Sequence, residues 1–234
     1  MFPLRDNVPT RTFPYVTVGL IVANTLVWLW EVSGTSVDHD VRLFGYYPCT
    51  VEGPCIPPAP PHPLTAWEGV FTSMFMHGGW FHIFGNMLFL WIFGNNVEDA
   101  LGHARFLIWY LACGLAATAL QTFVTLQFGT LQDASIPNVG ASGAIAGVLG
   151  AYFVLLPRAS VLTAFFLGFF FFFYEIPAIA FLGVWFVFQA WQGGFSLLQP
   201  HAGGGVAFFA HIGGFAFGFL TAKFLVTRRP LPPR

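Results

Sequence analysis

The chain has 234 residues, of which 56% are apolar and only 8% are charged, whereas a soluble domain carries about 25% charged residues. This deficit excludes an ordinary soluble fold and indicates that most of the chain faces lipid. The formal net charge of −1 argues against nucleic acid as a partner, because nucleic-acid-binding domains carry a basic excess.

Six apolar segments approach the roughly 20 residues that a helix needs to cross about 30 Å of hydrocarbon. We therefore predict an all-α polytopic membrane protein with a six-helix membrane domain over residues 14–226, a cytosolic segment at 1–13 and a cytosolic tail at 227–234. The first apolar run is long enough to stay as a span, so it is not interpreted as a removable signal peptide. The predicted helices lie at about 14–32, 80–97, 104–126, 141–157, 176–193 and 205–226.

The basic residues predict the orientation of these helices. With the N-terminus in the cytosol, eight of the nine Lys and Arg residues fall inside and only Arg42 falls outside. This bias follows the positive-inside rule, so both termini are expected in the cytosol (N-in, C-in), with the long loop 33–79 outside. The inside residues are Arg5, Arg11, Arg105, Arg158, Lys223, Arg228, Arg229 and Arg234.

Two connecting segments carry predictions of their own. Cys49 and Cys55 lie in the Pro- and Gly-rich first loop, where they are either two free thiols or a disulfide, and a disulfide requires an oxidising compartment. The apolar segment 161–173 is too short to span the membrane. We expect an interfacial hairpin or a hydrophobic strand pair there.

Polar side chains within the predicted helices are candidates for function, because they are costly in lipid. His82 and Asn86 lie four residues apart at the start of the second helix and therefore share one face, and His77 precedes them at the loop junction. Alternatively, all three are interfacial residues satisfied by headgroups and water. That alternative fits His77 better than the other two, which lie within an otherwise Phe-, Leu- and Trp-rich helix.

A serine flanked by small residues marks the start of the fourth helix. Ser142 lies between Gly140-Ala141 and Gly143, although serine and glycine also serve close helix packing. The position adds weight to the motif, because a helix N-terminus offers unpaired backbone N–H groups and positive dipole character that can stabilise an oxyanion.

The sixth helix carries His211 near its outer end. A lone buried histidine is more often structural than catalytic. Gly214 and Gly218 nevertheless form a small-xxx-small pair after it, and the fourth helix offers Gly143 and Gly147 to a close neighbour. Close approach of these helices is what a Ser–His hydrogen bond of about 2.6–3.2 Å requires.

These candidates fall at one depth and together predict a Ser–His dyad. His211 would act as the base for Ser142. Asn86, His82 and the Ser142 backbone N–H would stabilise the oxyanion. The acidic residue nearest that depth, Glu31, is interpreted as a solvated charge at a helix end, so a triad with a buried carboxylate is not expected.

At these positions the sequence resembles the rhomboid family of intramembrane serine proteases. The resemblance covers about residues 14–226 and includes a further element, Glu98-x3-Gly102, after the second helix. It rests on His77-x4-His82-x3-Asn86, Gly140-x-Ser142-Gly143 and Ala210-His211-x2-Gly214-x3-Gly218.

The resemblance implies a six-helix rhomboid-like bundle whose water-filled active site opens to the extracytoplasmic side. It implies a Ser142–His211 dyad, with Asn86 and His82 in the oxyanion pocket. It also implies cleavage of transmembrane substrate proteins near their outer ends, in the lipid bilayer of a cell (plasma or inner) membrane, without a metal or organic cofactor. The fifth helix and the loop that follows it, at about 194–204, are similar to the family's lateral gate and cap.

Two positions depart from the family pattern. Many relatives carry a Trp-Arg pair before the second helix, where this chain has Glu68-Gly69. Some relatives place an aromatic residue under the catalytic histidine, one turn after the serine, where this chain has Ala146. His211 must therefore be held by another group.

Other functions are weighed against this one. A catalytically inactive rhomboid-like binding factor would grip membrane proteins without cutting them, but we would expect it to lack Ser142 or His211. A transporter or haem-binding bundle would use His77, His82 and His211 as ligands. A membrane metalloprotease has no support, because the chain has no His-Glu-x-x-His motif.

Overall fold

The computed structural model describes residues 2–34, 36–57, 59–60, 63–167, 170–198 and 207–233, and these are mostly helical. A 3₁₀ turn covers Pro48–Val51, and a π-helical turn, Leu90–Gly94, joins two of the helices. The helices are α1 (Tyr15–Ser33), α2 (Val37–Phe44), α3 (Ala66–Ser73), α4 (Trp80–Phe89), α5 (Asn95–Leu101), α6 (His103–Phe128), α7 (Leu131–Ala134), α8 (Ser142–Leu155), α9 (Ala178–Leu198) and α10 (Phe208–Leu225). The strands are β1 (Phe2–Asp6), β2 (Ser160–Leu167) and β3 (Phe170–Pro177).

Each of the six predicted apolar segments contains helix, with shifted ends. Among the described residues, four helices are long and apolar enough to cross a membrane: α1, α6, α9 and α10. The second segment is broken by the π-helical turn and extends to Leu101. The fourth, α8, has only 14 residues and ends before Pro157, because a residue preceding proline disfavours the helical region. The predicted start of the sixth helix at 205 lies outside the described residues.

The all-α prediction is wrong in one respect, because the strands form a three-stranded antiparallel sheet in the order β1-β2-β3. The strand pair expected within 161–173 is confirmed and is longer than expected, with Ser160 opposite Pro177 and Leu167 opposite Phe170. The segment is rich in Val, Thr, Phe and Tyr, which favour strands. Because residues 176–177 pair with β2, α9 begins at Ala178 and not at the predicted residue 176. Strand β1 adds residues from the predicted cytosolic segment to the same sheet.

The packing of α8 against α10 depends on glycine. Residues 143–152 of α8 are all buried. A Cβ on Gly214 would lie 2.0 Å from the carbonyl oxygen of Gly143, and a Cβ on Gly218 would lie 1.9 Å from that of Gly147. The two backbones are therefore in direct contact, which is the close approach expected from the glycine pattern.

A buried carboxylate fastens the N-terminus of α1 to the end of α5. Glu98 is fully buried. It accepts hydrogen bonds from the backbone N–H groups of Val16 (2.9 Å) and Thr17 (2.7 Å) and from His103. An anion is stabilised at a helix N-terminus by the unpaired N–H groups and the helix dipole. Gly102 follows with φ of 81°, a conformation that favours glycine. The hydrogen bonds of Glu98 and the backbone conformation of Gly102 together give the Glu98-x3-Gly102 element a structural role.

The described residues of the first loop form short helices and a disulfide. Cys49 and Cys55 form a disulfide, with their Cα atoms 5.3 Å apart, so the disulfide alternative is the one that the structure supports.

Glu68, in place of the family's tryptophan, forms a capping box with Thr65 at the start of α3, and the hydrogen bonds from Thr65 lower the pKa of Glu68. A Cβ on Gly69 would lie 3.3 Å from the Cα of Tyr46, so this position allows α3 to pack closely on the loop.

Asp6 is expected to make stability depend on pH. Its carboxylate accepts hydrogen bonds from the Tyr152 hydroxyl (2.6 Å) and the Asn96 amide, and burial raises its pKa from 3.8 to about 6 despite the Tyr152 bond. The folded protein therefore holds this proton more tightly than the unfolded chain does. Its contribution to the free energy of unfolding is present below pH 3.8 and is lost as the pH rises to about 6, by up to about 3 kcal/mol.

Thermal unfolding of the detergent-solubilised protein between pH 4 and 7 measures this contribution. Relative to Asp6→Asn, the wild type should lose stability as the pH rises through this window. The comparison cancels the groups that titrate in both proteins. Parallel curves for the two proteins would refute the prediction.

Candidate active site

Ser142 and His211 meet at the junction of α8 and α10. The Ser142 Oγ lies 2.8 Å from the Nε2 of His211, within hydrogen-bonding distance. Ser142 is the first residue of α8, so its backbone N–H has no acceptor within the helix. Gly143 and Gly214, which follow the two side chains, form the backbone contact that brings them together.

His82 faces the same space from α4. Its Nδ1 accepts a hydrogen bond from the Gly78 N–H at 3.3 Å, so the proton of the neutral ring is on Nε2. This nitrogen points towards Gly140, where an added Cβ would lie 2.6 Å from it. Gly140 has φ of 118° and donates its N–H to the Ser73 carbonyl at 2.8 Å. The segment before Ser142 is therefore fixed beside the Nε2–H of His82.

His77 holds Asn86. The Nδ1–H of His77 donates to the Phe75 carbonyl (3.1 Å), which leaves Nε2 to accept from the Asn86 side-chain amide at 3.0 Å. Burial first, and His82 second, lower the pKa of His77 to about 4, so it stays neutral and keeps this bonding pattern. His77 therefore positions Asn86 and does not itself line the cavity.

The sequence-based interpretation of Glu31 is wrong. Its side chain is fully buried, and both carboxylate oxygens accept from the backbone N–H of His77 at 3.3 Å. Glu31 therefore supports the residue that holds Asn86. A Ser–His dyad without a carboxylate partner on the histidine stays the prediction.

A cavity of about 620 Å³ opens beside Ser142 and His211. His82 and Asn86 also line it, so the structure brings together four of the predicted site residues. The rest of the wall is mainly apolar. Lining residues from the segments that precede α4 and α8 are Gly78, Pro137, Asn138 and Val139.

The described residues contain no group of three or more His, Cys, Asp or Glu side chains that could hold a metal ion. The three histidines once considered as ligands are engaged differently. His77 binds Asn86, His82 accepts from Gly78, and His211 faces Ser142.

A model of the rhomboid domain matches residues 64–228 of the chain. The chain belongs to the rhomboid family. It is 30% identical over 162 residues to Rhomboid protein 1, mitochondrial, of Saccharomyces cerevisiae, covering 67% of this chain and 41% of that protein. It is also 30% identical over 151 residues to Rhomboid protease GluP of Bacillus subtilis, covering 63% of this chain and 25% of that protein.

The Presenilin-associated rhomboid-like protein, mitochondrial, of Mus musculus is 30% identical over 207 residues, which is 86% of this chain and 46% of the mouse protein. The chain thus matches less than half the length of these three relatives. Family membership and the apolar helices establish an integral membrane protein.

This rhomboid chain holds its histidine from α9, which the sequence analysis did not foresee. The Nδ1 of His211 lies 2.8 Å from the Oε1 of Gln189, and the ring of Trp185 lies 5.8 Å from the imidazole. Position 146, one turn after Ser142, is alanine and offers no ring to the imidazole. Gln189 could have been found from the sequence, because it is a polar residue in an apolar helix, the criterion that selected His82 and Asn86.

Proposed function

We propose that this chain is an intramembrane serine endopeptidase that cleaves transmembrane proteins near their extracytoplasmic ends. The observation that carries the proposal is the 2.8 Å contact between Ser142 Oγ and His211 Nε2 at the wall of a cavity large enough for a peptide segment. A relative named as a rhomboid protease supports the same reaction class. The substrates would be transmembrane proteins in the surrounding lipid bilayer.

The mechanism follows from the atoms that face the cavity. His211 Nε2 takes the proton of Ser142 as Oγ attacks the scissile carbonyl carbon, and the carbonyl oxygen becomes an oxyanion. The imidazolium then gives the proton to the leaving amine, which leaves an acyl-serine. Water attacks this ester with His211 again as base, and the second product is released as a carboxylic acid.

Three N–H groups are candidates to stabilise the oxyanion. They are the Ser142 backbone N–H, the Nε2–H of His82 and the side-chain amide of Asn86. Each N–H group is held in place differently. The first is at the N-terminus of α8, the second is on a ring that accepts a hydrogen bond from Gly78, and the third is on an amide bonded to His77. Because these supports exist before substrate arrives, no reorganisation is needed as charge develops.

The proposal includes a six-span, N-in/C-in topology with the active site on the extracytoplasmic side. The distribution of Lys and Arg favours this orientation. The Cys49–Cys55 disulfide lies in the loop assigned outside, and disulfides persist in oxidising compartments. We place the membrane domain at 14–226, with 1–13 and 227–234 in the cytosol of a cell whose plasma or inner membrane holds the protein.

The experiment that tests this function uses the purified chain in liposomes with a single-span substrate that carries small residues near its outer end. Cleavage is followed by gel and mass spectrometry, and labelling of the protein by a fluorescent fluorophosphonate is measured in parallel. We expect both cleavage and labelling. A folded protein that binds the substrate but neither cuts it nor is labelled would instead support an inactive rhomboid-like binding factor.

Replacement of Asn86 with alanine should lower kcat by about 10- to 1,000-fold, the scale of one oxyanion donor. The substrate would still bind, because the apolar walls of the cavity are unchanged, so KM should change little. Steady-state cleavage in liposomes measures both constants. Asn95→Ala is a control on the same segment, as Asn95 does not line the cavity. A wild-type kcat in the Asn86 variant would remove it from the oxyanion pocket.

A further inference from the structure

The second ring nitrogen of His211 decides whether the first can act as a base. In a neutral imidazole one nitrogen carries the proton and the other accepts. Nε2 faces the Ser142 hydroxyl at 2.8 Å and must be the unprotonated nitrogen if it is to remove the serine proton. The proton must then be on Nδ1, and a stable acceptor at Nδ1 favours this tautomer.

Gln189 supplies that acceptor. Its Oε1 lies 2.8 Å from the Nδ1 of His211, and its side chain is only 7% exposed. The Nδ1–H of His211 therefore donates to the amide oxygen, which leaves Nε2 free to accept from Ser142. A buried amide that lacks a partner is costly, so the bond also accounts for a glutamine on the buried side of an apolar helix.

Helix α9, which carries Gln189, contacts His211 through a second side chain as well. Trp185 lies one turn before Gln189 on the same face of α9, with its ring centroid 5.8 Å from that of His211 and an interplanar angle of 40°. Phe181 and Leu182 continue this buried face, whereas Val187 and Phe188 on the other side are more than half exposed. Helix α9 therefore contacts His211 through two side chains, and the side that carries Val187 and Phe188 faces outwards.

We propose that Gln189 is a positioning residue that fixes the tautomer and orientation of His211, so that the Nε2 of His211 is free to activate Ser142. The proposal rests on the proposed protease function. A neutral amide here takes the place that a carboxylate occupies in a Ser-His-Asp triad. Unlike a carboxylate, it adds no buried charge to a helix that faces lipid.

The experiment compares three variants of the full-length chain in liposomes. Gln189→Leu removes the acceptor at similar size, and Gln189→Glu restores an acceptor oxygen at the same place. Gln192→Leu is the matched control, since Gln192 is on the same helix, half-buried, and outside the cavity lining. For each protein we would measure kcat, KM, the rate of fluorophosphonate labelling at Ser142, and the midpoint of thermal unfolding.

We expect Gln189→Leu to lower kcat and the labelling rate by about 10- to 100-fold, less than the roughly 10⁴-fold seen when a triad aspartate is changed so that the wrong tautomer forms. KM and the unfolding midpoint should stay at wild-type values. Gln189→Glu should recover most of the rate, and Gln192→Leu should match the wild type.

Three results would overturn the positioning role. Gln189→Leu could react at the wild-type rate, Gln189→Glu could be as slow as Gln189→Leu, or the loss of activity could follow a fall in the unfolding midpoint, which would indicate a structural role only. Each leaves an active wild type and therefore leaves the protease function standing. A folded wild type that is neither labelled nor active would reject both proposals together.

Discussion

Replacing Ser142 with alanine is expected to lower the rate of substrate cleavage by about 10⁴-fold or more, on the scale of losing the nucleophile of a serine protease. The variant lacks the Oγ atom that lies 2.8 Å from His211 Nε2, so no acyl-enzyme can form. Labelling by the fluorophosphonate should disappear as well. The fold should be unaffected, because Ser142 is only half-buried and alanine suits the first turn of a helix.

The control for this variant is Ser33→Ala. Ser33 is exposed at the end of α1, where its hydroxyl donates to the Trp30 carbonyl. The Ser33→Ala variant should cleave substrate and be labelled as the wild type is. His211→Ala should reproduce the loss seen with Ser142→Ala, and the double variant should be no worse than either, because the two residues act as a unit. Retained labelling in Ser142→Ala would mean that another serine reacts and that the proposed site is wrong.

Short motifs with a strong physical signature were predictable from the sequence. A serine among small residues at the start of a helix, and a histidine in an otherwise apolar helix, are costly in lipid, so their type and position indicated a shared site. The glycines after His211 predicted a close helix contact, and the backbone distances at Gly214 and Gly218 agree. In each case the signal lies within one segment and does not require knowledge of a distant partner.

Features that depend on a distant partner were missed. Glu31 is buried because it receives the backbone N–H of His77, 46 residues further along the chain, and backbone groups leave no trace in a sequence. Strand β1 forms by pairing with β2, more than 150 residues away, and its five residues carry no clear alternation. The sequence marks Gln189 as a polar residue in an apolar helix, but it does not show that this side chain contacts a histidine on another helix.

Because α8 and α10 are in backbone contact, Gly218→Ala is the small substitution that we expect to lower the stability of the protein most. An added Cβ would lie 1.9 Å from the Gly147 carbonyl oxygen and 2.8 Å from its Cα. These are backbone atoms that cannot rotate away, so α10 must move from α8. Overpacking typically costs about 1–3 kcal/mol and occasionally more. We expect about 3 kcal/mol or more, as a lower thermal unfolding midpoint in detergent.

Gly19→Ala is the matched control, because the same atom added in α1 meets nothing within 4 Å. Alanine is favoured over glycine in a helix by roughly 0.5–1 kcal/mol, so this control should be as stable as the wild type or slightly more so. Catalysis should fall in Gly218→Ala even in the molecules that stay folded. Ser142 and His211 are on the two helices that are pushed apart, and a displacement of about 1 Å can cost about 100-fold in rate. Wild-type stability and rate in Gly218→Ala would show that α8 and α10 are not in backbone contact.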